Sequence, residues 1–279
     1  MVKGFMGKTH ALLSIALLCM CMLIPVGFLE NTVWLLKDHV LFFIIGIVVT
    51  SGGALLPDLD NTKSFAGSYL GPVGSICTVF MQSTSTIMWN LIHFKGDRHP
   101  STPHRYFWHT LIAGIGLTCI LYFGVPSNEL TIIQNIQELT FIGFLQKQAI
   151  VFVLLFVLFT AILLGSNMVL NKVIKAFKLP KILTYILPVL IIVYMFFLDY
   201  NHLKILGLCI GLGYIFHCLE DFFADTGVPL LWPIPIHNQC WHRLKFFVTC
   251  KTGSLANTII DIIALIIDIV LIILVFAWR

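Results

Sequence analysis

The chain has 279 residues, of which 58% are hydrophobic and only 11% charged. Soluble domains carry about 25% charged residues, so this composition excludes an ordinary water-soluble protein and makes lipid the main solvent. The net charge of +4 is small and the basic residues are dispersed, which argues against a nucleic-acid partner. The eight cysteines, Cys19, Cys21, Cys77, Cys119, Cys209, Cys218, Cys240 and Cys250, form no C-x-x-C pair. Most lie in apolar stretches, where they read as small hydrophobic side chains.

Lys3 and Lys8 precede the first apolar run, as in a signal peptide, but no A-x-A site follows. The run therefore reads as a retained first helix. A bilayer core needs about 20 apolar residues per helix. Seven stretches qualify, at roughly 11–29, 39–57, 106–124, 149–167, 182–199, 203–222 and 257–278. Pro188 inside the fifth predicts a kink. Segment 69–92 is less apolar and holds Gly71, Pro72, Gly74, Gln82 and a Ser83-Thr84-Ser85-Thr86 run. It reads as an interfacial or re-entrant element. The expected fold is all-α: one polytopic membrane domain over 1–279, with about seven transmembrane helices plus that segment.

Lysine and arginine orient the spans, because cytoplasmic loops are enriched in them. With a cytoplasmic N-terminus, the inside holds Lys3, Lys8, Lys63, Lys95, Arg98, Arg105, Lys172, Lys175, Lys178, Lys181, Arg243, Lys245 and Lys251, against Lys37, Lys147, Lys204 and Arg279 outside. That is thirteen against four, with the C-terminus outside. If 69–92 crossed, the Lys172–Lys181 group would change sides and the bias would weaken.

On that topology the unusual polar residues share one membrane face. His10 opens the first span, and Asp58 and Asp60 follow the second. His104 and His109 open the third, and His217 and Asp221 close the sixth. His217 and Asp221, four apart, share a helical face. Pro57 disfavours helix at Leu56, so Asp58 and Asp60 can both turn to one site. Imidazole with carboxylate suits a divalent metal, Zn first and Mn or Fe as alternatives, one or more ions. Singly, each of these residues also reads as an interfacial or solvated side chain. Their joint position favours a metal site.

The sequence resembles the YdjM-like membrane-bound metal-dependent hydrolase family. The resemblance rests on His10, Leu55-Leu56-Pro57-Asp58-Leu59-Asp60, His104-Arg105 and His109-Thr110. It continues through His217, Asp221, Gly227-Val228-Pro229-Leu230-Leu231-Trp232-Pro233 and Thr252-Gly253-Ser254. It implies a bacterial inner-membrane protein with metal-dependent hydrolase activity. A more distant similarity to zinc phospholipase C and nuclease folds implies phosphoester chemistry. Departures are Trp108 and Thr110 where members carry Thr and Ser, Ala224 where a Thr is usual, and Asn257, with Asp261 one turn on, where an acid often follows the Thr-Gly-Ser piece.

The expected function is thus hydrolysis of a lipid or lipid-linked phosphoester or ester by metal-activated water at the cytoplasmic face. Arg105 is the expected phosphate contact, and Glu220 and Asp225 are the expected general bases. Trp232, Trp241, Phe246 and Phe247 read as an aromatic belt or lid. Membrane lipids are the expected partners, and the oligomeric state is open. Two alternatives stand beside this reading. One is a transporter using Asp261 and Asp268 of the last span. The other is a non-catalytic protein stapled by a structural metal.

Overall fold

In lipid a backbone must satisfy its own N–H and C=O groups, so the apolar stretches fold as helices. The computed structural model describes residues 7–23, 40–97, 104–125, 153–168, 178, 180, 183–195, 197–247 and 255–277. Among these the protein is helical, and strand-like pairing is limited to isolated bridges at Val228–Leu244 and Ile236–Gln239. In chain order the helices are α1 (Gly7–Leu23), α2 (Val40–Gly53), α3 (Phe65–Tyr69), α4 (Gly71–Leu91), α5 (Leu111–Phe123), α6 (Val153–Met168), α7 (Leu183–Met195), α8 (Tyr200–Asp221) and α9 (Leu255–Ala277). Short 3-10 turns at Pro57–Asp60 and Phe107–His109 follow α2 and precede α5.

Three segments are long and apolar enough to cross a bilayer: α2 with its following turn (Val40–Asp60), α8 and α9. α1, α5 and α6 are apolar but shorter. Pro188 lies inside α7. The segment expected to be interfacial or re-entrant is one unbroken 21-residue helix, α4, and it is not among the three. Its middle, rather than an end, meets the turn after α2. Thr78 Oγ1 donates to the Leu59 carbonyl at 2.6 Å, and Gln82 Nε2 to the Asp60 carbonyl at 2.8 Å.

α8 is the central element, packed against α5, α2 and α1. α9 packs on α1. Only 22% of its most apolar window is buried, against 78% for Val40–Asp60. Its buried residues Asn257, Asp261, Ala264 and Asp268 follow helical spacing. Both acids therefore face protein, and isoleucines such as Ile262, Ile266 and Ile273 face outward.

α2 and α6 meet backbone to backbone. A Cβ on Gly52 would stand 1.8 Å from the Ala161 carbonyl oxygen, and one on Gly165 would stand 1.9 Å from that of Val48. Small residues permit such close approach between membrane helices. Gly52→Ala must push α6 away from α2, destabilising the fold by roughly 1–3 kcal/mol or more. Size-exclusion of heated, detergent-solubilised protein should show a lower midpoint for Gly52→Ala. An unchanged midpoint contradicts this packing.

Candidate metal centre

Four segments deliver polar side chains to one end of the bundle. His10 lies in the first turns of α1, and Asp58 and Asp60 lie on the 3-10 turn after α2. His104 and Arg105 precede the 3-10 turn that carries His109. His217, Glu220 and Asp221 lie at the C-terminal end of α8. Both His104 and His109 thus stand outside the helix proper, so their separation of five residues does not drive them apart. Thr110 then caps α5, accepting a hydrogen bond from the Ala113 amide at 3.2 Å. This is the work a serine would do there.

The ligating atoms form two groups of three, His10 with His217 and Asp221, and Asp58 with His104 and His109. Within each group the atoms lie within 4.8 Å of one another. The groups adjoin. His109 Nε2 is 3.8 Å from Asp58 Oδ1 and 3.5 Å from Asp221 Oδ2, and His217 Nε2 is 3.9 Å and 3.6 Å from the same two oxygens. Ligand atoms around a tetrahedral zinc are separated by roughly 3.3–3.6 Å, given bonds of about 2.0–2.2 Å. His109 and His217 are fully buried, and none of their ring nitrogens has a hydrogen-bond partner among the described residues. Buried polar atoms are normally satisfied, and a cation between these rings and carboxylates would take up one lone pair of each imidazole, while His109 Nδ1 faces Asp60 Oδ2 at 3.5 Å. The residues present fit a divalent metal.

Carboxylates brace the outer nitrogen of one histidine in each group. Glu220 accepts from His10 Nδ1 at 2.5 Å, and Asp60 accepts from His104 Nδ1 at 2.5 Å. Such partners fix ring orientation and raise ligand basicity. Asp60, expected as a ligand, has its second oxygen on the Arg105 backbone N–H at 2.9 Å. It therefore stands beside the two groups rather than in them. Burial alone lowers the pKa of His104, but the charge and hydrogen bond of Asp60 outweigh it and hold the imidazole above its usual value. Glu220, expected as a base, orients His10. Its Oε1 has no hydrogen-bond partner among the described residues.

Arg105 has φ of 62°, a left-handed conformation that costs a non-glycine residue of order 1–3 kcal/mol. That turn sends its backbone N–H to Asp60 and its guanidinium to Asp221, at 3.0 Å, and to Thr226 Oγ1, at 2.7 Å. The expected bidentate phosphate contact would compete with these two bonds. Asp225 is half-buried on the turn after α8, outside the two ligand groups. Thr226 was not foreseen. It is a neutral hydroxyl in a turn, and only the neighbouring Gly227 motif marks the place. Thr252-Gly253-Ser254 lies outside the described residues.

An aromatic cap covers the His104–His109 stretch. Trp232 and Trp241 are buried with Tyr106 and Cys240, and Trp89 and Phe107 pack against them. Of the four aromatics expected in a belt or lid, only these two join the cap. Phe246 packs on Phe222 and Phe223, and Phe247 is 87% exposed. Asp97 pins the cap, accepting from the amides of Phe94, Trp241 and Cys240 at 2.7, 3.0 and 3.3 Å and from Cys240 Sγ at 3.1 Å. Burial raises its pKa, but these donors hold it below the usual carboxylate value. Burial and the facing Asp97 carboxylate push the Cys240 thiol up to about 12, so this cysteine is an inert hydrogen-bond donor.

A bundle of apolar helices with a buried His/Asp cluster at one end defines a helical membrane protein able to hold a metal. The family model described as YdjM inner membrane protein matches residues 5–168, and the chain belongs to that family. No curated protein and no solved structure matches the chain. The matched part contains His10, Asp58, Asp60, His104, Arg105 and His109. α8 supplies His217, Glu220 and Asp221 from beyond it.

Elemental analysis of purified protein checks the cluster. His217→Ala and Asp58→Ala should each lose most of the bound divalent metal. Glu220→Gln should weaken metal affinity about 10- to 100-fold, as losses of such bracing carboxylates do. Metal content unchanged in all three contradicts the assignment.

Proposed function

We propose that this protein is a metal-dependent hydrolase of the inner membrane, acting from the cytoplasmic face on a phosphoester or ester of a lipid or lipid-linked substrate. The observation that carries this reading is the pair of adjoining His-His-Asp groups at the ends of membrane helices, with the buried nitrogens of His109 and His217 making no hydrogen bond among the described residues. In this reading His10, His217 and Asp221 hold one ion, and Asp58, His104 and His109 hold a second. Zinc suits the donor set best, with manganese or iron as alternatives. Bound there, a divalent cation supplies Lewis-acid polarisation of the scissile oxygen and lowers the pKa of water.

The chain's own groups do the rest. Glu220 and Asp60 keep His10 and His104 in the tautomer whose Nε2 faces inward. Glu220 Oε1 is available to accept a proton, and Arg105 balances the charge of Asp221 when an anionic group enters. The side chains of Asp58 and His104 are 16% and 17% exposed, whereas those of His109, His217 and Asp221 are at 0%. Substrate therefore reaches the centre past Asp58 and His104. The transport alternative has one acid fewer than expected. Asp261 accepts from Thr9 Oγ1 at 2.6 Å and is ion-paired with Lys8.

The proposed topology has seven spans, a cytoplasmic N-terminus and α4 lying along the cytoplasmic interface. The contact of α4's middle with Leu59 and Asp60 supports that placement. Single cysteines replacing Lys63 and Lys95, in a cysteine-free background, should both be labelled by an impermeant thiol reagent only when it is given access to the cytoplasmic side. Labelling from opposite sides would contradict it.

Activity is tested with metal-loaded protein in liposomes of total bacterial lipid, followed by mass spectrometry. Wild type should deplete at least one phosphoester or ester lipid, and Asp58→Asn should abolish the depletion. If metal-loaded wild type depletes no lipid while chelation unfolds it, the metal is structural and the hydrolase reading falls.

A further inference from the structure

A second feature lies across α1 from the His/Asp cluster. A cleft of about 410 Å³ runs between α1, α2 and α9. Its walls are apolar, including Leu12, Ile15, Ile47, Leu265 and Ile272. The volume falls within the range of roughly 300–1,000 Å³ typical of small-molecule sites, which are mostly apolar with a few placed polar groups. Here the charged lining groups are Lys8 and Asp268.

The two acids of α9 have opposite circumstances. Asp261 is fully engaged by α1, through Thr9 Oγ1 and Lys8, and Thr9 Oγ1 in turn accepts from Asn257 Nδ2 at 3.0 Å. Asp268 lies two turns further along, about 10 Å deeper. It is only 3% exposed, and neither of its carboxylate oxygens has a hydrogen-bond partner among the described residues. Of the other side chains lining the cleft, only Lys8 can donate, and it is committed to Asp261. Burial of a carboxyl without a donor is costly, and more so at membrane depth, where no water replaces the missing bond. The apolar space and the unmet acceptor are complementary to one kind of molecule.

We propose that the α1–α2–α9 cleft binds a lipophilic molecule carrying a single amine or hydroxyl donor, and that Asp268 receives that donor while the apolar body fills the cleft. The site is independent of the metal centre. His10 faces α8 through Glu220 and His217, whereas Lys8, Ala11, Leu12 and Ile15 present the other side of α1 to the cleft. The ligand enters from lipid, since α9 is the least buried of the three segments long enough to span.

The test is equilibrium dialysis of full-length protein in nanodiscs against radiolabelled dodecylamine, dodecanol and dodecanoate, corrected with empty nanodiscs. Saturable binding of one amine or one alcohol per protein supports the proposal. Binding of the amine alone identifies a cationic ligand, and binding of the alcohol as well identifies a neutral donor. Dodecanoate should not bind. Asp268→Asn should weaken the amine about tenfold, as for loss of one charge-assisted hydrogen bond, and Leu265→Trp should block both ligands by filling the cleft. Without ligand, Asp268→Asn should raise the thermal midpoint, because a neutral amide costs less to bury without a partner than an ionisable carboxyl. A purely structural Asp268 would lower it. The proposal is overturned by no saturable binding of either donor, by equal binding of dodecanoate, by unchanged amine binding in Asp268→Asn, or by a lower midpoint in that variant.

Discussion

Asp60 accepts two hydrogen bonds at once, from His104 Nδ1 at 2.5 Å and from the Arg105 amide at 2.9 Å, and the site is built outward from that carboxylate. One bond holds His104 beside Asp58 and His109. The other holds Arg105 in the left-handed turn that lets its guanidinium reach Asp221 on α8. A single buried acid thus ties the turn after α2 to the entry of α5 and, through Arg105, to the end of α8. Charged groups withdrawn from water are tolerated only when paired, so loss of Asp60 would leave His104 without its anion and the Arg105 backbone N–H without its acceptor.

Much of this was legible in the sequence. Composition fixed the solvent as lipid, and the hydropathy pattern located helices at each of the expected stretches that the structure describes. His10, Asp58, His104, His109, His217 and Asp221 do converge, and the i, i+4 spacing of His217 and Asp221 places them on one face as helical geometry requires. The bracing roles of Asp60 and Glu220 were not legible. A carboxylate that binds a cation and one that orients a neighbouring imidazole have the same sequence, and only tertiary geometry separates them. Segment 69–92 was ambiguous for a similar reason. Its Gly, Pro, Ser and Thr residues suggest interruption, yet its serine and threonine hydroxyls bond back to carbonyls one turn earlier, as Thr78, Thr84 and Thr86 do, and the helix continues unbroken. The special turn at Arg105 left no trace, because a positive φ at arginine has no sequence signature.

Some departures from the family pattern have physical replacements. Thr110 caps α5. Trp108 sends its indole N–H to the Met81 carbonyl and Thr84 Oγ1, and its carbonyl accepts from Tyr214 at 2.5 Å, joining α4, α5 and α8. Asp261 binds Thr9 and Lys8, next to His10, and so fixes the start of α1 rather than a metal. Thr110 and Trp108 thus position the segment that carries His109, and Ala224 has no such replacement.

The central claim is that imidazole and carboxylate, not cysteine thiolate, hold the metal at this end of the bundle. X-ray absorption at the metal edge of purified protein tests it most directly. The account predicts nitrogen and oxygen neighbours at about 2.0–2.2 Å, with the outer scattering of several imidazole rings, and loss of part of that outer scattering in His109→Ala. Sulfur neighbours at about 2.3 Å, or a spectrum without imidazole scattering, would contradict it.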